Sequence, residues 1–264
     1  QLQVSNLILG GFGLGKQIQQ SFDLPHIKLE HCLLEATGTN YSDRYWRNEF
    51  WPNCPSDELV FVTNYQRINW RADHLPNTHV ILHGICDKTF HSYNPKQKAI
   101  LIVANDLPNR AFILGFDIIQ QVCDKLPTKF VGCSKNSDGS TFSEPANSLE
   151  ELAEYYRSFV CYLNTTRLST ISTSCLEAAC TEMPVFSINA PSMRDYFEHE
   201  QHMMFSDDPK VLREWVTDCL EHPDKYVEMG KRCRLRIQKI FNIEKHISAW
   251  NNLFYKVINN KLNG

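Results

Sequence analysis

Thr173-Ser174-Cys175-Leu176-Glu177-Ala178-Ala179-Cys180-Thr181-Glu182-Met183-Pro184-Val185-Phe186 is the stretch whose reading decides the fold. It predicts a short polar lead, about one and a half turns of helix, a break at Pro184 and a buried strand beginning at Val185. A hydroxyl at Thr173 or Ser174 caps the helix by accepting a backbone N–H that has no partner inside the helix. The free N–H groups and the positive dipole end then form an anion site. Glu177 follows about one turn later, where its carboxylate can accept hydrogen bonds from sugar hydroxyls. A phosphate at a helix start with a carboxylate one turn away is a common way for α/β proteins to hold a nucleotide.

Apolar strand-like runs alternate with helical patterns along the rest of the chain, which predicts α/β layers with mostly parallel sheets. The expected strands are 7–9, 27–30, 59–62, 79–82, 99–103, 129–132, 160–163 and 185–187. The expected helices are 15–21, 112–125, 148–158, 174–181, 209–222, 223–240 and 243–258. Phe90–Lys98, rich in Pro, Asn and Lys, reads as a linker. No internal repeat or low-complexity tract is present.

Composition narrows the function classes. A chain of 264 residues with 42% hydrophobic content supports one large or two small cores. A formal net charge of −3 gives no bulk electrostatic footprint for nucleic acid. The ten cysteines fall singly, with no C-x-x-C pair and no zinc-type Cys/His spacing. Several sit inside apolar runs, the pattern of reduced thiols, and so predict a cytoplasmic location, or a host cytoplasm for a virus-encoded chain. No run approaches the ~18 apolar residues of a membrane span, and no signal peptide of the usual layout opens the chain.

The run Leu176-Glu177-Ala178-Ala179-Cys180-Thr181-Glu182-Met183-Pro184-Val185 resembles the L-E-A-x-A-x-G-x-P-V signature of the retaining nucleotide-sugar glycosyltransferases of GT-B architecture, the group that includes glycogen-synthase-like enzymes. Glu182 stands where that signature has Gly. Ser169 stands where the family's E-x7-E motif has its first Glu. The resemblance runs in order over about residues 78–258. Val80-Ile81-Leu82-His83-Gly84-Ile85 followed by Phe90 is similar to the junction into the second domain, with His83 in place of Asn. Ala99–Val103 with Asn105, Asp106 and Arg110 is similar to that domain's first strand and loop. Phe130-Val131-Gly132, Ser148–Leu152 with Tyr155-Tyr156, Asp207-Asp208-Pro209, His222-Pro223, Met229-Gly230 and Phe241 continue the pattern. In the first part, Pro25–His31 resembles a strand ending in His, and Glu58–Val62 through Arg67 a later strand.

The resemblance implies an α/β fold of two Rossmann-like lobes with a cleft between them. Residues 1–92 would form a short or truncated acceptor-side lobe. Residues 93–264 would form the nucleotide-sugar lobe, its last helix crossing back onto the first. It implies transfer of a hexose or similar sugar from a nucleotide diphosphate donor, a UDP-sugar first among them, to an acceptor hydroxyl with retention. Arg110 would grip the diphosphate and neutralise the leaving group. Glu177 would bind the ribose, and Ser172, Thr173 and Ser174 the phosphate. His31 would face the donor sugar, Gly13 would border the cleft, and Cys133 and Asn147, with Ala146, would line the base pocket. The family's partner Lys, expected near Leu114-Gly115, is missing. The scheme requires no cofactor and no metal.

Other readings stand beside this one. A non-catalytic binding protein on the same fold is one. Gly10-Gly11-Phe12-Gly13-Leu14-Gly15-Lys16 fits the G-x-x-x-x-G-K phosphate loop, although Gln17 replaces the magnesium-binding Ser or Thr, so a P-loop nucleotidase is another. Tyr41, Arg44, Tyr45, Trp46, Arg47, Phe50 and Trp51 form an aromatic and basic cluster suited either to stacking on sugars or bases or to packing as a loop. The acceptor stays open among a glycan, a lipid carrier, a protein and a modified nucleic-acid base.

Overall fold

The structure, a computed structural model, describes residues 8–10, 26–30, 33–37, 42–53 and 57–262. Gly13, His31, Tyr41, the helix expected at 15–21 and all of the phosphate-loop pattern beyond Gly10 lie outside the described residues. The chain separates into two compact units. One comprises Gln1–Gly84 with Glu244–Gly264, and the other Ile85–Ile243.

The first unit carries a parallel sheet in the order β1 (Ile8–Gly10), β2 (His26–Glu30), β3 (Glu58–Phe61), β4 (Thr78–Val80). Its strands bury two different faces. Ile27, Val60 and Ile81 pack with Leu253 and Val257 of the terminal helix. On the other face Leu59 and Phe61 pack with Trp46, Trp51 and Trp70. Trp46 and Trp51 are 2% and 4% exposed, and the Trp51 Nε1–H donates to the Trp70 carbonyl at 2.7 Å. Arg47 is held by Asp73 at 3.1 Å. In the described part of the aromatic and basic cluster, Trp46 and Trp51 thus belong to a packed layer, with Tyr45 and Phe50 half-buried against it. The helix α1 (Asn64–Asn69) follows β3, capped by Thr63, whose hydroxyl accepts the Gln66 N–H.

The second unit is built on a parallel sheet of β5 (Gln97–Val103), β6 (Thr128–Val131), β9 (Phe159–Asn164), β10 (Val185–Ser187) and β11 (Met204–Phe205), in the order β11-β10-β9-β5-β6. A small antiparallel hairpin, β7 (Ser134–Lys135) and β8 (Thr141–Ser143), follows β6. The hairpin and β11 are too short to leave a periodic trace in the sequence. The α/β reading with parallel sheets holds in both units.

The helix expected over 112–125 is two helices, α2 (Ala111–Leu114) and α3 (Phe116–Cys123). Gly115 separates them at φ +68°, in the left-handed region, and a Cβ there would run into the Thr165 carbonyl oxygen. Further along the chain come α4 (Leu149–Ser158), α5 (Thr173–Cys180), α6 (Pro191–Arg194), α7 (Pro209–Glu221) and α8 (Val227–Ile240), and then α9 (Ile243–Leu262), which from Glu244 onward belongs to the first unit. The core of the second unit lies between β5, β9 and β10 and helices α3 and α7, through residues such as Ile100, Leu163, Phe186, Ile119, Leu212 and Val216. Phe90–Lys98 is pinned along its length: Tyr93, Asn94 and Lys96 donate backbone N–H bonds to Thr181, Arg157 and Ser158.

All eight cysteines among the described residues are free thiols. No helix among the described residues is long and apolar enough to cross a membrane.

Candidate functional site

The strand order of the second unit locates its ligand end. The chain moves from β5 outward to β6, then returns past β5 to β9 and continues to β10 and β11. The connections leaving β5 and β9, which are neighbours, therefore run in opposite directions. In open parallel sheets such a reversal opens a crevice at the carboxyl ends of the two strands, and ligands bind there. The segment after β5 holds Asn105, Asp106 and Arg110. The segment after β9 holds Ser172, Thr173, Ser174 and Glu177.

On the β9 side, Ser172 is the N-cap of α5 and accepts the Cys175 N–H through its hydroxyl. Its Oγ also lies 3.1 Å from the Ser174 Oγ. Ser174 in turn accepts the Tyr162 hydroxyl proton at 2.8 Å. Tyr162 sits in β9, whose six residues are all buried, and its hydroxyl also reaches the Val103 carbonyl at the end of β5 at 3.4 Å. This phenol links the last residue of β5 to the first turn of α5. Thr173 is exposed beside the two serines.

Glu177 is half-buried, and burial pushes its carboxyl up to about 6, partly opposed by a hydrogen bond from Tyr156. That bond, from the Tyr156 hydroxyl to Oε2, is 2.9 Å long. Tyr156 is fully buried at the C-terminal end of α4. Among the described residues Oε1 of Glu177 has no hydrogen-bond partner.

The β5 and β6 loops lock to each other. The Cys133 N–H donates to the Asn105 side chain at 2.9 Å, and the Asp106 N–H donates to the Cys133 carbonyl at 2.8 Å. Ser134 accepts the Leu107 N–H at 3.1 Å. Gly132, at φ +136°, permits this approach, because a Cβ there would overlap the Ala104 carbonyl. Arg110 sits at the start of α2, its N–H bonded to the Asp106 carbonyl at 2.9 Å. Its side chain is exposed, and among the described residues its guanidinium has no partner.

Two hydrogen-bonded groups thus form beyond adjacent strands, Ser172 and Ser174 with Tyr162, and Cys133 with Asp106 and Arg110, while Glu177 stands apart on Tyr156. Asn147 belongs to neither, since its backbone and side-chain nitrogens both donate to Glu151 Oε2, at 2.7 and 2.8 Å. Sequence reasoning missed Tyr156, Tyr162 and Ser134. A signal for Tyr162 exists: a phenol inside an apolar strand must find a hydrogen-bond partner when buried.

The site can offer helix N–H groups and hydroxyls to a phosphate, a guanidinium to a diphosphate and a carboxylate oxygen to a diol. Among the described residues no cluster of three His, Cys, Asp or Glu side chains could hold a metal ion.

Residues 122–251, just under half of the chain, match the family described as glycosyl transferase-like. No curated protein matches the sequence. Among solved structures, TarM superposes with a TM-score of 0.69 at 13% identity, covering 94% of this chain and 54% of TarM. The sucrose-phosphate synthase of Thermosynechococcus elongatus superposes at 0.73 with 16% identity, covering 95% of this chain and 73% of that one. Anabaena Alr3699/HepE, solved with UDP and glucose, superposes at 0.74 with 12% identity, covering 95% and 77%. This chain spans about half the length of the TarM structures, 54% and 51%. At such identities the likeness establishes the fold.

Proposed function

Since residues 122–251 are glycosyl transferase-like and the chain has the fold of nucleotide-sugar glycosyltransferases, we propose that it transfers a sugar from a nucleoside diphosphate donor, a UDP-sugar first among candidates, to an acceptor hydroxyl with retention. The observation that carries this reading is the placement of Arg110 and the Ser172–Glu177 helix start in the segments that follow β5 and β9, the two strands that flank the topological switch point.

In this reading the diphosphate lies against the N-terminus of α5, with Ser172, Thr173 and Ser174 supplying hydroxyls and N–H groups. Arg110, unpaired and exposed, spans two phosphate oxygens with its forked donors. Glu177 accepts from the ribose hydroxyls through the oxygen that Tyr156 leaves open. Charge develops on the departing diphosphate, and fixed donors stabilise it as it forms. The released diphosphate itself takes the acceptor's proton, so no strong side-chain base is required. Cys133 and its loop border the base. The relatives solved with UDP or with UDP and glucose support the choice of donor.

The test is UDP release from a panel of UDP-sugars in the presence of glycan, lipid-linked and peptide acceptors. Turnover lost in Arg110→Ala and Glu177→Ala supports transfer. UDP binding without turnover on any donor would instead favour a non-catalytic binding protein on the same fold.

A further inference from the structure

We propose that Tyr156 is a positioning residue for the nucleotide: its hydroxyl holds one carboxylate oxygen of Glu177 and leaves the other turned to the ligand. This inference rests on the donor-site reading of Glu177. Tyr156 is fully buried, with its ring against Phe90 at 5.8 Å and Tyr162 at 6.1 Å. Those ring contacts would be met equally well by phenylalanine. What phenylalanine would lack is the hydroxyl, and the hydroxyl's bond goes to Glu177 Oε2 at 2.9 Å.

A carboxylate with both oxygens free rotates about its last torsion, which is broad for Glu. Fixing one oxygen by a buried donor sets the plane of the group and so the direction of the second. The bond also acts on charge. Burial raises the Glu177 carboxyl, and the Tyr156 hydroxyl opposes that rise by bonding the ionised form. Without it the carboxylate would hold its proton to higher pH and would present fewer acceptors to a diol at neutrality. Tyr156 thus both aims Glu177 and keeps it ionised. Among the described residues two other titratable groups feel the Glu177 charge and both stay neutral over this range: Tyr162, which bonds Ser174, and Cys180, whose thiol burial pushes up to about 12.

The experiment compares wild type with Tyr156→Phe by two readouts. The first is carbon-13 NMR titration of the Glu177 carboxyl in the ligand-free protein. The second is calorimetric titration with UDP between pH 5 and 8.5. In the wild type the carboxyl midpoint is expected at about 6. In Tyr156→Phe it is expected about one pH unit higher, which lowers UDP affinity by roughly fivefold at pH 6 and by nearly tenfold at pH 5, while the loss shrinks toward pH 8.5. Should Tyr156→Phe fold poorly, 3-fluorotyrosine at position 156, a more acidic donor of nearly the same shape, is expected to move the midpoint downward. An unchanged midpoint in these variants would overturn the proposal, whatever happens to affinity. Failure of the wild type to bind UDP would overturn the donor reading, and with it the positioning role, even if the carboxyl midpoint shifts.

Discussion

Gly230 of α8 lies directly against the main-chain carbonyl of Glu182, so that a β-carbon at 230 would overlap that oxygen. Glu182 itself sits at φ +74°, in the left-handed region, just after α5 ends. This is the position where the L-E-A-x-A-x-G-x-P-V pattern carries glycine. The backbone geometry is retained here although the residue is not.

Two opposite effects on stability follow from that contact. Gly230→Ala forces α8 away from the end of α5 and is expected to cost ~1–3 kcal/mol. Glu182→Gly removes left-handed strain of ~1 kcal/mol or more and loses the ion pair to Arg234, 3.7 Å away and worth less than ~1 kcal/mol. The expected net is a gain of ~0.5 kcal/mol. Glu182→Ala loses the pair and keeps the strain, so it is destabilising. Urea unfolding of the three variants measures all of these effects, and equal outcomes for Gly and Ala at 182 would contradict the strain account.

Glu177 couples stability to pH. Its carboxyl is pushed up to about 6 by burial from an ordinary value of 4.5. Between those values the folded chain keeps a proton that the unfolded chain has lost, so this group's contribution falls as pH rises. The penalty is absent below about pH 4.5 and complete above about 6, where it amounts to ~2 kcal/mol. Glu177→Gln is therefore expected to raise thermal stability at pH 8 and leave it unchanged near pH 4.5, while weakening UDP. Glu30 adds a penalty of the same sign, its carboxyl pushed up to about 7 because burial outweighs Lys28, 3.5 Å away. A Glu177→Gln gain that did not vary with pH would refute this linkage.

Arg110 makes the converse case. Its guanidinium is exposed and unpaired among the described residues, so the fold does not depend on it. Arg110→Ala is expected to leave the melting temperature within ~1 °C of wild type. Its kcat/KM is expected to drop by ~10²–10³, the range for losing a donor to developing charge. Arg110→Lys keeps the charge without the fork and recovers only part of the rate. Full activity in Arg110→Ala would remove this residue from the mechanism.

Tyr162 and Ser174 are expected to act as one unit. Tyr162→Phe removes the 2.8 Å bond to Ser174 and the reach to Val103, at a cost of ~1 kcal/mol. Because both groups share that bond, the double variant with Ser174→Ala should cost less than the sum of the two single ones. Strict additivity, read from a double-mutant cycle on unfolding, would show that the hydroxyls act independently.

Much of this was legible in the sequence. The strands β5, β9 and β10 announce themselves as continuous apolar runs, because a buried parallel strand is hydrophobic on both faces. The helix start could be placed from capping chemistry to within two residues: Ser172 is the cap, where the sequence pointed to Thr173 or Ser174. The break at Gly115 was hidden, because its cause is the Thr165 carbonyl, fifty residues away. The roles of Tyr156 and Tyr162 were hidden for a related reason. A hydroxyl's partner in a core is fixed by packing between elements, and no local pattern encodes it. The aromatic layer around Trp46 and Trp51 was legible as a cluster, but only the partner strand β3 shows which side of it is buried.

The most direct test of the central claim is calorimetric titration of UDP, GDP and ADP into the wild type and Glu177→Ala at pH 7.5. The account predicts that UDP binds the wild type with micromolar affinity and that Glu177→Ala loses at least tenfold of it while keeping the wild-type fold. UDP binding of equal strength to both proteins, or no binding of any of the three to the wild type, would contradict it.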